Sequence, residues 1–151
     1  MLGRTLAGTG PLPLRLGVGI TFFMHGWMKL SEMGVANVTG FFGSLGIPLP
    51  AVAAPAIIAL EIGGGAALIL GLLTRPIAAL LACDMLVAIP LVKLGSGFFA
   101  PQGPEVEFLL LTGALTLALT GAGWLSVDAL LFRRRGSPAA APESSRAAAW
   151  V

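Results

Sequence analysis

Four long apolar runs dominate the chain, at about residues 12–30, 52–73, 77–94 and 106–131. Each is close to the ~20 residues that a helix needs to cross a hydrocarbon core. Polar or Gly/Pro-rich stretches separate them, at 31–50, Thr74-Arg75-Pro76 and 95–104. None of the runs alternates polar and apolar residues, as a lipid-facing barrel strand must. Backbone groups in lipid need partners within their own segment, so the runs predict helices. The expected fold class is all-α: a four-transmembrane-helix bundle.

Composition strengthens this reading. The chain has 151 residues, 56% of them hydrophobic and 11% charged, with a mean hydropathy of +0.93. Soluble domains carry roughly 25% charged residues. A chain of this length cannot hide so much apolar surface from water, so its solvent is lipid. The first run could be taken for a signal peptide, but no small-x-small cleavage site follows it. It ends in HGWMKL, which reads as the flank of a retained span.

Charge then sets orientation. Arg4, Arg15, Arg75, Arg133, Arg134, Arg135 and Arg146 fall on one side of the predicted spans, and Lys29 and Lys93 on the other. The positive-inside rule places both termini in the cytoplasm, as an even number of spans requires. Trp27 and Trp124 fall near opposite interfaces, as aromatic anchors do. Residues 1–132 form the membrane domain, and 133–151 a basic, Pro/Ala/Ser-rich cytoplasmic tail expected to be disordered. The net charge of +2 is mostly the Arg133–Arg135 cluster, and no basic stripe interleaved with aromatics suggests nucleic acid. A lone cysteine, Cys83, and a lone histidine, His25, exclude an intrachain disulfide and a His/Cys metal centre. No cofactor is intrinsic, and any redox role must borrow its electron carrier.

Against this background the charges at membrane depth are the informative residues. Glu61 sits in the middle of the second run, where an ionisable group costs about 2.5–3.5 kcal/mol or more. His25 lies ~20 Å from the start of the first run and Glu61 ~13–14 Å from the opposite start of the second, which puts them at similar height. Lys29 is four residues beyond His25 and shares its helix face. Glu105 and Glu107 open the fourth run within reach of Lys29 or Lys93. The candidate cluster is His25, Lys29, Glu61, Glu107 and Asp84, with Arg15, Arg75 and Asp128 at the cytoplasmic ends. A His/carboxylate pair at that depth can shuttle protons, for instance to a quinone. The same groups can also simply fix helix register. Asp84 lies nearer the cytoplasmic end, where Arg75 or Arg15 could snorkel towards it.

Small residues suggest where helices approach. Gly63, Gly64 and Gly65 follow Glu61, and Gly17, Gly19, Gly113, Gly121 and Gly123 punctuate other runs. Each outer loop begins Lys-Leu and carries Gly-Phe-Phe, at Gly40-Phe41-Phe42 and Gly97-Phe98-Phe99. This is either a trace of a two-helix repeat or interfacial aromatics placed twice.

The ordered set of motifs resembles the DoxX family of small bacterial membrane proteins. The matching pieces are Arg15, His25-Gly26-x-x-Lys29-Leu30, Gly46-Ile47-Pro48, Glu61-x-Gly63-Gly64 and Gly71-x-x-Thr74-Arg75. They continue with an acidic start to the fourth run (Glu105 or Glu107) and Gly121-x-Gly123-x-x-Ser126-x-Asp128. The resemblance covers roughly residues 12–132. It implies four helices in the bacterial plasma (inner) membrane, and a subunit or partner of a quinone- or thiosulfate-linked oxidoreductase complex, with redox proteins as partners. A non-enzymatic membrane scaffold, self-association into a homo-oligomer and a small-molecule carrier are the competing expectations. Family membership fixes architecture more tightly than activity.

Overall fold

The computed structural model describes residues 9–93, 95 and 97–132 of the chain. Arg4, the Arg133–Arg135 cluster, Arg146 and the expected tail at 133–151 lie outside the described residues. The fold is all-helical. Helix α1 spans Pro11–Met28, α2 Val35–Ser44, α3 Pro50–Leu70, α4 Thr74–Ala88, α5 Glu105–Thr120 and α6 Val127–Phe132. Five-residue π-helical turns extend α1 through Lys29–Met33 and α4 through Ile89–Lys93. The second contains Pro90, which lacks the N–H that an α-helical ladder needs there.

The helices pair as two hairpins. One packs α1 against α3, the other α4 against α5, and α3–α4 and α1–α5 contacts close the bundle. Each hairpin has the same order of parts: a helix, a π turn, a Gly-Phe-Phe segment and a returning helix. The shared core joins Phe22, Leu68, Leu81 and Leu117, all fully buried. A smaller cluster seats Val38 of α2 on Ala54 and Ile58 of α3.

Among the described residues, two segments are long and apolar enough to cross a membrane, Pro50–Leu70 and Thr74–Lys93. Only 33% and 22% of their most apolar windows are buried. A soluble protein would bury such helices, so these expose apolar faces that need lipid. Ile20, Met24, Leu109, Leu115 and Leu119 continue the exposed apolar surface onto the other helices.

The segmentation departs from the hydropathy pattern in two places. The fourth run does not form one helix through residue 131: α5 stops at Thr120 and α6 begins at Val127. Gly121 and Gly123, at φ 82° and 75°, break it between them. The 31–50 loop contains a helix, α2, whose Val38 and Phe42 share one face and pack onto α3.

Glycines hold the first hairpin tight. A Cβ on Gly65 would stand 2.6 Å from the Phe23 backbone nitrogen, and one on Gly26 would stand 2.8 Å from the Glu61 Cβ. Close backbone approach of this kind is how small residues serve membrane helix contacts. Gly63, in contrast, faces open space. Gly65→Ala should therefore lower stability by about 1–3 kcal/mol, because backbone rather than a flexible side chain must move. Gly63→Ala should be neutral or stabilising by up to ~1 kcal/mol through helix propensity. Thermal unfolding of the two variants in one detergent makes the comparison.

Candidate functional site

The site grows from the first hairpin's close crossing. With Gly26 opposite, α3 comes near enough to α1 for Glu61 to be fully enclosed, at 1% exposure. Lys29, first residue of the π turn, donates to both carboxylate oxygens, at 2.6 Å to Oε1 and 2.5 Å to Oε2. A carboxylate this deeply buried is tolerated because it is charge-paired and hydrogen-bonded at both oxygens. Lys29 is the partner because it stands one turn beyond His25 on the same face with a longer side chain.

The second hairpin supplies a matching pair. Lys93, last residue of the other π turn, lies 3.5 Å from Glu107 Oε1 near the start of α5, and donates to the Pro101 carbonyl at 2.9 Å. Glu107 Oε2 is buried without a hydrogen-bond partner. Glu105 turns elsewhere and accepts the Ala100 N–H at 3.0 Å. Of the two acidic residues opening α5, Glu107 is thus the one facing the bundle interior.

Both pairs line one cavity of about 280 Å³. His25 and Met28 of α1 form one wall, Met85 and Ala88 of α4 another, and Phe41 and Phe42 of α2 the cover. His25, Lys29, Glu61 and Glu107 therefore share a single enclosure. Asp84 does not line it. It lies on a neighbouring groove with Cys83, still within electrostatic reach of Glu61 and Lys29, and its Oδ2 is buried and unpartnered. Arg15 is engaged at the other end, and nine residues of helix raise Asp84 ~13–14 Å away from Arg75. The sequence singles out Phe41 and Phe42 as a repeat trace or interfacial aromatics, not as the cover of a cavity. Its available signal was the i, i+4 pair Val38 and Phe42, set between Gly34 and Gly46.

At the opposite end, Arg15, Arg75 and Asp128 serve architecture. Arg15 is 2% exposed and donates to the carbonyls of Ala122 and Leu125, both at 2.7 Å. Those carbonyls lie in the stretch that the break after α5 removes from helical pairing. A Cβ on Gly71 would reach within 2.5 Å of the same guanidinium. Asp128 accepts the Leu73 and Thr74 N–H groups at 2.7 and 2.9 Å, capping α4 from a distant part of the chain. Arg75 lies against Gly121. Asp128→Ala should cost about 0.5–2 kcal/mol, the usual range for a lost helix cap, with Asp128→Asn intermediate. Chemical unfolding of the three proteins in detergent checks the order.

Comparison with known proteins identifies the family. The DoxX family profile matches residues 10–94, the stretch carrying Arg15, His25, Lys29, Glu61 and Asp84. The chain is 40% identical over 124 residues to the Bacillus subtilis protein named "Putative oxidoreductase CatD", covering 82% of this chain and 88% of that one. It is 32% identical over 135 residues to "Inner membrane protein YqjF" of Escherichia coli, covering 87% and 98%. It is also 32% identical over 148 residues to "Uncharacterized membrane protein Rv3486" of Mycobacterium tuberculosis, covering 87% and 88%. No solved structure gives a significant match. With a profile over more than half its length and relatives of matching extent, the chain belongs to the DoxX family of membrane proteins.

Proposed function

We propose that this protein is the membrane subunit or partner of an oxidoreductase complex, and that its enclosed cavity receives the ring of a quinone. In this reading all four main helices, α1, α3, α4 and α5, cross the bacterial inner membrane. Both termini are cytoplasmic, since Arg15 and Arg75 lie at the end opposite Lys29 and Lys93. The cytoplasmic tail at 133–151 stands apart from the membrane domain at 1–132.

The observation that carries the reading is the convergence of two Lys–Glu pairs, one from each hairpin, on one cavity with an apolar cover. Two structural locks need not face the same space. The volume of about 280 Å³ lies just below the range typical of small-molecule sites and suits a single ring. Lys29 and Lys93 would hold ring oxygens by donating to them, while Met28, Met85 and Phe42 would pack its faces. Glu107, with its unpartnered oxygen, and His25 are the groups placed to hold or pass protons. When bound, a quinone accepts electrons and protons together, and in this reading the electrons come from a partner protein. The name of the Bacillus subtilis relative points in the same direction.

One observation favours a second reading, a non-enzymatic scaffold. Lys29 and Glu61 satisfy one another so fully that the pair works as a helix lock whatever the cavity holds.

The test is quinone extraction from protein purified in native lipid, together with a deletion strain. The proposal expects near-stoichiometric quinone in the preparation, and a deletion strain altered in thiosulfate oxidation or oxidant sensitivity. Quinone-free protein and an unchanged strain would leave the scaffold reading in its place.

A further inference from the structure

A second space lies directly outside the cavity. A groove of about 340 Å³ runs between α3 and α4, bordered by Leu60, Leu80, Cys83, Asp84 and Val87 and closed above by Phe42. Phe42 lines both spaces, so one aromatic ring is their shared wall. The two spaces differ in chemistry. The cavity carries two Lys–Glu pairs, whereas the groove is apolar apart from Asp84. Leu80 and Val87 on its rim are 53% and 54% exposed, on the surface that faces lipid.

Helices α3 and α4 are joined by the tight turn at Gly71–Leu73, and the Asp128 carboxylate pins that turn at the far end. The groove lies towards the other end of the pair, where Phe42 of α2 borders it. At the boundary, Asp84 offers a buried carboxylate oxygen with no donor. An isolated buried acceptor costs free energy until a donor arrives, and the hydroxyl groups of the reduced ring, the quinol, are such donors. A ligand crossing from the groove into the cavity meets that acceptor beside the Lys29–Glu61 pair.

We infer that the α3–α4 groove is the lipid-side portal of the cavity and the seat of the ligand's hydrocarbon chain, with Phe42 as the partition between chain and ring. The occupant is a single amphipathic molecule, a polar ring bearing an isoprenoid or alkyl tail. A polar enclosure followed by an apolar trough open to the bilayer matches that order of parts. A water-soluble ligand would have no use for the trough. The inference rests on the quinone reading and adds the route and the tail site.

The sole cysteine supplies a native reporter, since Cys83 lines the groove and is exposed. The experiment measures the rate of Cys83 alkylation by N-ethylmaleimide in lipid nanodiscs. It compares decylubiquinone, the same ring without a chain, and dodecanol at an equal mole fraction, and measures equilibrium binding of both quinones in parallel. The portal predicts a several-fold slowing by decylubiquinone, with little effect of the chainless ring or of dodecanol. Leu80→Trp, which fills the groove from a lipid-exposed position, should weaken decylubiquinone binding and leave the chainless ring unaffected. Equal protection by every chain-bearing compound overturns the inference, because the groove is then ordinary lipid-facing surface. Quinone binding without Cys83 protection also overturns it, and leaves the quinone reading standing. Binding of neither quinone removes the quinone reading, and the portal with it.

Discussion

Glu61→Leu will strip the protein of most of its stability. The substitution leaves the Lys29 ammonium, 22% exposed, without the counter-charge to which it donates two hydrogen bonds. Breaking a buried ion pair from one side typically costs 3–5 kcal/mol, a large part of the roughly 5–15 kcal/mol that holds a domain together. Lys29→Met should be as damaging, because Glu61 at 1% exposure cannot reach water. Removing both charges together, as Lys29→Met with Glu61→Leu, should recover much of the loss, since apolar replacements of a buried pair are often neutral or stabilising. Protein level in membranes and thermal unfolding in mild detergent report all three variants. Additive losses in the double variant would show that the groups do not act on one another.

The second large effect falls at the opposite end. Arg15→Met withdraws two charge-assisted hydrogen bonds from the Ala122 and Leu125 carbonyls, each worth about 1.5–3 kcal/mol. These are the carbonyls that the glycine break after α5 leaves without helical donors. Arg15→Lys should rescue little. An ammonium is a point charge and cannot fork to two carbonyls as a guanidinium does. The expected order of unfolding temperature is wild type, then Arg15→Lys, then Arg15→Met, read by circular dichroism in one detergent. A Lys variant as stable as wild type would mean that charge, not the fork, is what the site needs.

Much of this architecture was legible in the residues, and the exceptions have physical causes. Hydropathy located the apolar runs, because burial in lipid demands unbroken apolar length. It could not see the break in the fourth run: Gly121, Ala122 and Gly123 are as apolar as their neighbours, and only their backbone angles end the helix. Helix α2 escaped because its apolar face is short and sits in a Gly/Pro-rich stretch. Among the glycines, the sequence cannot say which of Gly63, Gly64 and Gly65 faces α1. The 100° step of the helix settles it, turning Gly65 to Phe23 and Gly63 to open space. Rise per residue was enough to put His25 and Glu61 at one height, yet rise alone does not identify partners. Side-chain reach gave Glu61 to Lys29, and the same reach kept Asp84 from Arg15 and Arg75. The repeated Lys-Leu and Gly-Phe-Phe segments now coincide with two hairpins of like construction, each with its own π turn and Lys–Glu pair.

Whether the cavity works or merely locks can be read from one variant. Lys29→Met with Glu61→Leu should fold, and its affinity for decylubiquinone in nanodiscs can then be compared with that of wild type. If the pair holds the ring, the unfolding temperature stays close to wild type and binding weakens by about tenfold or more, the equivalent of one lost interaction of about 1.4 kcal/mol. A folded double variant that binds decylubiquinone as tightly as wild type would contradict that role, and would leave Lys29 and Glu61 as a fastening between two helices.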